Sequence, residues 1–518
     1  MKRRISIYPF LAILGIFLLS IFVRLPHFDR PLSKHHEFVT AVSLRVLDIW
    51  HAEGATTYGL NPVMNYPGEA NKYINNWAST TGEMLDEAGN FYYVSHPPMA
   101  YILPRAIFSL LQVKPSVKAI QIFHLSINLI CALFIYLIVC LLGQQKPFAR
   151  IYWSGIVGVL IYLFSPGVLW FQMNTYMSDM LVHLFFVLNV YTILKLLMRK
   201  RFFSPKYLVY YAVLLFLMIY TSWLGLFFAF SVFTYSFIKL RNTKVHIPLN
   251  LVTLFVTLAS LALLYVQYKG IAGSEAYIDQ MMNRIAERGS VQEDAGLLAQ
   301  ISSIAHMIIR VVSTYVSSYL PHFLLLFSFV YLTLTRAKLR IVFTKNGYRF
   351  LWLSTLPILL LHFFLLNYSG HDFVSLYGSL FLAVLIAILF DKLKTAKTLT
   401  YSQLTLGIGF VVLSSISLYY YINRPGEYSL SGDRYDHSQV LGKEIHENAL
   451  DDHVIFIQGE LSVDPQLIYY AKRNIQKVSS TEDAQEFLKE HPCKKGQIFR
   501  YDDSQEEGFV SVQTFEAY

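Results

Sequence analysis

The chain has 518 residues, of which 54% are hydrophobic and only 15% are charged, and its formal net charge is +9. Soluble proteins carry about 25% charged residues, so these charges are too few to cover a water-soluble surface of this size. The composition excludes disordered, fibrous and nucleic-acid-binding proteins and predicts a polytopic α-helical membrane protein. Three cysteines are too few for a disulfide scaffold.

The first apolar run extends from about residue 5 to residue 23 and follows the basic sequence Lys2-Arg3-Arg4. A cleaved signal peptide begins in a similar way. No small-x-small cleavage site follows this run, however, and the run is long enough to cross a bilayer. We therefore expect a retained first helix with its basic end in the cytoplasm.

Ten further apolar segments are each close to the ~20 residues that cross a bilayer. They are expected to be helical, because lipid cannot satisfy the polar groups of an extended backbone. They lie near residues 119–142, 151–168, 180–198, 207–222, 224–238, 247–267, 319–335, 349–366, 373–390 and 401–421.

Residues 97–112 form a more ambiguous apolar segment, because they contain Pro104 and Arg105. If this segment lies on the outer surface without crossing, the basic loops between the spans fall on the side of the basic N-terminus, as the positive-inside rule requires. Counting it as a span would place all of those loops outside. We therefore predict eleven spans and a membrane-surface helix at 97–112. The basic loops lie near residues 146–150, 199–206, 239–244, 336–349 and 392–397.

This topology sends four sizeable pieces to the outer face: a first outer loop at 24–118, a turn at 169–179, a second outer loop at 268–318, and the region after about residue 422. Residues 1–421 then form the transmembrane domain, and residues 422–518 a small extracytoplasmic α/β domain. Within the latter we expect strands near 452–457, 475–478, 497–501 and 508–515, and helices near 465–472 and 480–491.

Glu37 is the first candidate for catalysis. It opens an amphipathic stretch that runs to about Trp50, just above the membrane. A carboxylate there could act as a general base, although Glu37 is also a good residue for a first helical turn, and spacing leaves both interpretations open. His35, His36 and Glu37 are potential metal ligands. Adjacent histidines do not share a helix face, however, and no HxxxH or HxxH partner is near, so no metal site is predicted.

A second group of candidates could bind a phosphate. His96 precedes two prolines that fix an extended backbone, and Tyr101 and Arg105 follow on the predicted surface helix. Lys72 lies earlier in the same loop. Hydrogen-bond donors and cations at the headgroup level bind phosphates, but any interfacial cation also gives a generic attraction to lipid headgroups.

Three further polar residues lie at outer boundaries of spans. Asp179 opens a span, which suits either a functional carboxylate or an ordinary helix cap. His371 and Asp372 belong to the late polar sequence Asn367-Tyr368-Ser369-Gly370-His371-Asp372, which is either functional or a simple polar turn.

The order of these motifs resembles the GT-C superfamily of integral-membrane glycosyltransferases, and most closely its bacterial branch of protein O-mannosyltransferases and lipid A aminoarabinose transferases. The resemblance covers the membrane part and is clearest over residues 20–190. It consists of an Arg after the first span, an acidic motif soon afterwards, a sequence like [KH]-P-P-x-x-Y, a span-opening Asp, a late polar turn and an outer C-terminal domain. The chain has no D-x-D or W-W-D motif, which argues against nucleotide-sugar enzymes and oligosaccharyltransferases.

The resemblance implies roles for matching residues. The family's Asp-Glu pair corresponds to His36-Glu37, so either Glu37 is the base or His36 is, with Glu37 orienting it. Asp179 matches the family's second outer Asp. His96 stands where aminoarabinose transferases have a phosphate-binding Lys. The turn at His371 and Asp372 resembles the region that contacts the donor.

The function implied is transfer of a sugar from a polyprenyl-phosphate donor to a protein, lipid or cell-wall acceptor at the outer face of the cytoplasmic (inner) membrane. The expected partners are the donor, membrane lipid and that acceptor, with no nucleic acid, no metal and no obligatory cofactor. A glycan-lipid polymerase or ligase stays open because 268–318 contains Arg284, Arg288 and Arg310. A lipid-linked sugar flippase or transporter, or a membrane scaffold, is the other alternative.

Overall fold

The computed structural model describes residues 6–76, 82–198, 205–289, 297–335, 343–395, 415–416, 419, 436–459, 462–501 and 510–516. The predicted eleventh span, at 401–421, falls almost wholly outside these residues. The other ten predicted spans each coincide with a helix. In chain order the helices up to residue 395 are α1 (Tyr8–Arg24), α2 (Phe38–Glu53), α3 (Met99–Leu111), α4 (Val117–Leu142), α5 (Trp153–Leu163), α6 (Pro166–Phe171), α7 (Ser178–Met198), α8 (Pro205–Ile219), α9 (Leu224–Lys239), α10 (His246–Gly289), α11 (Leu297–Thr335), α12 (Lys345–Phe364) and α13 (Gly378–Thr395).

Seven helices in the described part of the chain are long and apolar enough to cross a membrane, and α3, α5, α8 and α9 are shorter apolar helices. The chain is therefore a multi-pass helical membrane protein, and the number of spans stays a prediction. Helix α3 has 13 residues, which gives a length of about 20 Å against a hydrocarbon thickness of about 30 Å. Helix α5 is shorter still, with 11 residues, so length alone does not decide between a surface position and a span for α3.

Helix α10 has 44 residues in two helical stretches, and the first stretch, over residues 246–271, is roughly 39 Å long and can cross the hydrocarbon core. It bends at Ala272 and Gly273, where Gly273 adopts a φ of +91° that a residue with a side chain rarely takes. The predicted second outer loop is consequently largely helical, because α10 continues past the bend and α11 begins at Leu297.

Helix α2 lies at the centre of the first outer loop. Its sequence predicts an amphipathic helix, but eleven of its 16 residues are buried. A short antiparallel hairpin in the same loop, β1 (Glu83–Leu85) and β2 (Phe91–Tyr93), was not predicted. The wide burial of α2 arises because the C-terminal domain covers it in addition to the rest of the loop.

The C-terminal domain is a four-stranded sheet with helices, close to the predicted strand and helix positions. The strand order is β4-β3-β5-β6, with β3 parallel to β4 and β5, and β6 antiparallel to β5. Helix α14 was not predicted. The elements are α14 (Asp436–Asn448), β3 (Val454–Gln458), α15 (Pro465–Ala471), β4 (Ile475–Val478), α16 (Thr481–Glu490), β5 (Lys495–Tyr501) and β6 (Val510–Glu516).

Polar contacts join this domain to the first outer loop. The hydroxyl of Tyr470 accepts a 2.8 Å hydrogen bond from the amide of Leu32, and Lys472 forms an ion pair with Asp48 of α2. Asn474 is buried and accepts a 2.8 Å hydrogen bond from the amide of Tyr66. Loop and domain thus form one packed unit beside the membrane helices.

Candidate active site

A cavity of about 200 Å³ lies where α2, the end of α10, the start of α7 and the turn at 367–373 meet. We call it the central pocket. Its lining includes two arginines, two histidines and two carboxylates, together with aromatic rings. Among the predicted site residues, His96, Asp179 and His371 line it. The polar lining residues are Tyr93, His96, Asp179, Arg284, Glu287, Arg288, Asn367, Tyr368 and His371.

Arg288 is the principal cation of the central pocket and is only 5% exposed. Its Nη2 donates a 3.1 Å hydrogen bond to Nε2 of His96, and its guanidinium carbon lies 4.6 Å from the ring centre of Tyr368. Its Nε and Nη1 have no hydrogen-bond partner among the described residues. Burying such donors without partners is costly, and their fork matches the oxygens of a phosphate. These two donors of Arg288 are therefore chemically suited to an anionic ligand.

His96 supports Arg288. The ring is buried, and its backbone carbonyl accepts a 2.7 Å hydrogen bond from Tyr268. Because a guanidinium only donates, Nε2 of His96 must be the acceptor, which assigns the ring proton to Nδ1. Burial, with the charges of Arg288 and Arg284, holds the pKa of His96 well below its usual range. The ring is thus neutral and orients Arg288, and it adds no positive charge of its own.

Asp179 is the carboxylate on the opposite side of Tyr368. It lies in the first turn of α7 and is 1% exposed. Its Oδ1 accepts two 2.5 Å hydrogen bonds, from the hydroxyls of Tyr368 and Tyr377, while Oδ2 has a 3.3 Å contact with Ser178. Two phenols on one oxygen fix the plane of the carboxylate. A residue that only caps a helix does not need two tyrosine hydrogen bonds to its side chain, so capping alone does not explain the contacts of Asp179.

Two of the predicted residues, His36 and Asp372, come together with His35 at the wall of the central pocket. Asp372 follows His371 and precedes Phe373, which both line the pocket. The Asp372 carboxylate contacts Nε2 of His35 at 2.8 Å and Nε2 of His36 at 2.9 Å. The His36 ring also packs 5.2 Å from Phe373. The first outer loop and the late polar turn thus meet through these side chains, although more than 300 residues separate them.

Glu37 directly precedes α2, as predicted, but its carboxylate lies away from the central pocket. It is 1% exposed and does not line the central pocket. Its Oε2 accepts hydrogen bonds from the amides of Ser33 (2.9 Å) and Lys34 (2.8 Å), and its Oε1 pairs with Arg30. Burial raises its pKa, while Arg30 and the two amides oppose this rise. These contacts brace the turn that carries His35 and His36.

Three other predicted residues lie outside the central pocket. Arg105 donates a 2.6 Å hydrogen bond to Ser109 on the same helix. Lys72 is bonded to Asn90 within the first outer loop. Tyr101 is 1% exposed and belongs to the hydrophobic core. The proposed contacts of these residues with substrate stay predictions.

The sequence interpretation left Arg284, Arg288, Tyr368 and Tyr377 out of the site. Arg284 and Arg288 were noted only as cations of the second outer loop. The missing signal was helical continuity: four-residue spacing puts both on one face of the extended α10. Arg24 was noted as part of the family motif after the first span. It is fully buried and donates hydrogen bonds to the backbone carbonyls of Leu169 and Val168, so its visible role is to join α1 to α6.

By sequence, the chain matches no protein-family model and no curated protein. Solved structures do match its fold. The archaeal oligosaccharyltransferase AglB from Archaeoglobus fulgidus, in complex with an inhibitory peptide and a dolichol-phosphate, has a TM-score of 0.57 at 11% identity, over 95% of this chain and 69% of AglB. ArnT from Cupriavidus metallidurans, bound to undecaprenyl phosphate, has a TM-score of 0.57 at 10% identity, over 97% of both chains.

The chain therefore shares the fold of AglB and ArnT. The expected fold class is thereby confirmed. AglB and ArnT have equal TM-scores, so the fold alone does not distinguish an oligosaccharyltransferase from an ArnT-like enzyme. The absence of a W-W-D motif was the only ground for that distinction in the sequence. Function has to be argued from the central pocket.

Proposed function

We propose that this chain is a glycosyltransferase that moves a sugar from a polyprenyl-phosphate donor to an acceptor at the outer face of the cytoplasmic membrane. One observation carries the proposal. Arg288, whose Nε and Nη1 have no partner in the described part of the chain, and Asp179, a buried and oriented carboxylate, share one pocket beside apolar helices. The choice of donor is supported by ArnT, solved with undecaprenyl phosphate, and by AglB, solved with a dolichol-phosphate.

In the proposed reaction the polyprenyl phosphate is the leaving group. The bond between the anomeric carbon and the phosphate oxygen breaks, and negative charge grows on the phosphate. Nε and Nη1 of Arg288 donate to the phosphate oxygens and stabilise this negative charge. The stabilisation is strongest when the donors are already held in position before the reaction. His96 and Tyr368 fix the guanidinium from two sides.

Asp179 is the proposed base. A hydroxyl or amine of the acceptor attacks the anomeric carbon, and its proton passes to the carboxylate. Tyr368 and Tyr377 both bond to Oδ1, so we assign the proton to Oδ2, which has only the longer 3.3 Å contact with Ser178 among the described residues. Glu37 is proposed as a positioning residue, since its oxygens are used by Arg30 and two backbone amides.

The acceptor would be a protein, a lipid or a cell-wall polymer. With the N-terminus in the cytoplasm, the first outer loop and the C-terminal domain would both lie outside, where they pack together. Donor lipid would reach the pocket from the membrane, with its chain along the apolar helices.

The test uses the full chain in nanodiscs with polyprenyl-phosphate mannose, glucose or aminoarabinose, and follows released polyprenyl phosphate by mass spectrometry. Arg288→Gln and Asp179→Asn are compared with Lys118→Gln. The matched control removes an exposed cation outside the central pocket that has only a 3.9 Å contact with Asp29. We expect turnover in wild type and control, and a loss of about 100-fold or more in both pocket variants.

Other outcomes would contradict the proposal. Release of polyprenyl pyrophosphate from a lipid-linked glycan would indicate a polymerase or ligase. Movement of intact donor across the bilayer without bond cleavage would indicate a flippase. Equal turnover in both pocket variants and wild type would remove Arg288 and Asp179 from the reaction.

A further inference from the structure

Two adjacent histidines and a distant aspartate bring three potential metal ligands together. Nε2 of His35 lies 2.8 Å from Oδ2 of Asp372, and Nε2 of His36 lies 2.9 Å from Oδ1. The two imidazole rings are 3.9 Å apart, centre to centre. One atom from each residue lies within 4.8 Å of the others. Two histidine nitrogens and one carboxylate oxygen form the ligand set of many zinc and iron sites.

The backbone explains how adjacent histidines reach the same carboxylate. Neighbouring side chains in a strand point to opposite faces, and those in a helix diverge. His36 is in neither state: its φ of +57° places it in the left-handed region, just before α2 begins at Phe38. This conformation is uncommon for a residue with a side chain, and such residues cluster at functional sites. The helix-face argument against a metal site therefore does not apply here.

Neighbouring groups hold this conformation in place. The indole nitrogen of Trp170 donates a 3.2 Å hydrogen bond to the carbonyl of His35. On the other side, the carboxylate of Glu37 bonds the amides of Ser33 and Lys34. The turn is thus fixed from both ends, which is what a preorganised ligand set requires.

The distances are compatible with one ion. Zinc binds histidine nitrogens and carboxylate oxygens at about 2.0–2.2 Å, so ligands at tetrahedral angles are roughly 3.3 Å apart. The observed nitrogen–oxygen contacts, 2.8 and 2.9 Å to different oxygens of Asp372, need to open by about half an ångström. The three ligand atoms all lie within 4.8 Å of one another, so any longer separation among them has to shorten toward about 3.3 Å. The side chains of His35, His36 and Asp372 are 12%, 14% and 10% exposed, so the cluster is sheltered from water.

We propose that His35, His36 and Asp372 form a binding site for a divalent transition metal of the zinc class. Three protein ligands leave at least one position open, as in catalytic and not structural zinc sites. Because His371 and Phe373 line the central pocket on either side of Asp372, the ion lies in the pocket wall. The site stands on its own geometry and is independent of the sugar-transfer proposal.

The test measures metal binding directly. Full-length protein in nanodiscs is stripped with a chelator and titrated with Co²⁺, whose visible absorption reports nitrogen and oxygen coordination, and Zn²⁺ then competes. We expect one equivalent to bind. Asp372→Asn, His35→Gln and His36→Gln should each weaken binding by at least ~10-fold. The matched control is His453→Gln, because Nδ1 of His453 lies 2.8 Å from exposed Asp452 in the same kind of contact with only one histidine.

Two results would overturn the proposal. One is a wild-type protein without a saturable Co²⁺ site, and the other is binding that all three variants retain at wild-type strength. A readout that needs no variant guards against misfolding: Zn²⁺ should raise the unfolding temperature of wild type, since a ligand bound only by the folded state stabilises it. No rise under saturating Zn²⁺ would contradict the site. Because none of these readouts requires turnover, failure of the sugar-transfer proposal leaves the result interpretable.

Discussion

The hydroxyl of Tyr368 donates a 2.5 Å hydrogen bond to the carboxylate of Asp179. The ring of the same tyrosine lies 4.6 Å from the guanidinium carbon of Arg288. Tyr368 therefore lies between the guanidinium of Arg288 and the carboxylate of Asp179 and contacts both. Since α7, α10 and the late polar turn are distant in sequence, Tyr368 also ties together the three elements that form the central pocket.

Removing the Tyr368 hydroxyl separates these two roles. Tyr368→Phe keeps the ring against Arg288 but removes one donor to Asp179, and a hydrogen bond to a charged group contributes about 1.5–3 kcal/mol. We expect kcat to fall by roughly 10- to 100-fold, with little change in KM for the donor. Steady-state kinetics with the donor varied measures both.

Tyr377→Phe is the matched comparison, because Tyr377 donates to the same oxygen of Asp179. It should lower kcat to a similar degree. Tyr368→Leu removes the ring as well, so donor KM should rise in that variant. If Tyr368→Phe changes KM as much as Tyr368→Leu does, the ring contact with Arg288 is not what supports donor binding.

Arg105 and Arg288 offer a direct comparison of a cation chosen from sequence with one found in the pocket. Arg105 was expected to bind phosphate, but its guanidinium bonds Ser109 outside the central pocket. We expect Arg288→Gln to weaken binding of polyprenyl phosphate by about 10-fold or more, because a buried charged hydrogen bond is lost. Arg105→Gln should weaken it by less than about threefold, because Arg105 is a partly exposed charge outside the central pocket. Binding of undecaprenyl phosphate to protein in nanodiscs decides between them.

Much of this fold could be predicted from composition and periodicity. The apolar segments coincide with helices wherever the structure describes them, and strands such as Val454–Gln458 and Ile475–Val478 lie within a residue or two of their predicted positions. These elements depend on local hydrophobic patterns, which a single sequence displays. The motif order also identified the GT-C fold.

The site was less predictable because it depends on long-range packing. Nothing in the sequence near His36 indicates that Asp372 will contact it. The two residues are 336 positions apart, and a single sequence carries no signal for contacts over that distance. The left-handed backbone at His36 is likewise set by Trp170 and Glu37. Glu37 was chosen as a base because it precedes a helix above the membrane, and its bonds to Arg30, Ser33 and Lys34 became visible only in three dimensions.

Glu37 can be tested as a positioning residue. Glu37→Gln leaves Arg30 without its carboxylate and weakens two amide hydrogen bonds, and breaking a buried ion pair costs about 3–5 kcal/mol. We expect a lower unfolding temperature together with lower activity. Arg30→Gln should reproduce both losses, because it breaks the same pair. If Arg30→Gln is nearly as active as wild type while Glu37→Gln is inactive, Glu37 acts in the reaction itself.

The last prediction concerns the pH dependence of stability. Glu83 of β1 is 7% exposed, and burial, opposed by Arg45, raises its pKa to about 7 from a usual 4.5. The folded protein therefore binds this proton more tightly than the unfolded chain does, and stability falls as the pH rises between these two values. The difference corresponds to about 3 kcal/mol. Glu83→Gln cannot ionise, so its unfolding temperature should decline less than that of wild type between pH 5 and pH 8.

Glu87→Gln, which changes an exposed glutamate in the same hairpin, should keep the wild-type dependence. Parallel curves for wild type and Glu83→Gln would mean that the Glu83 carboxyl titrates alike in the folded and unfolded chains.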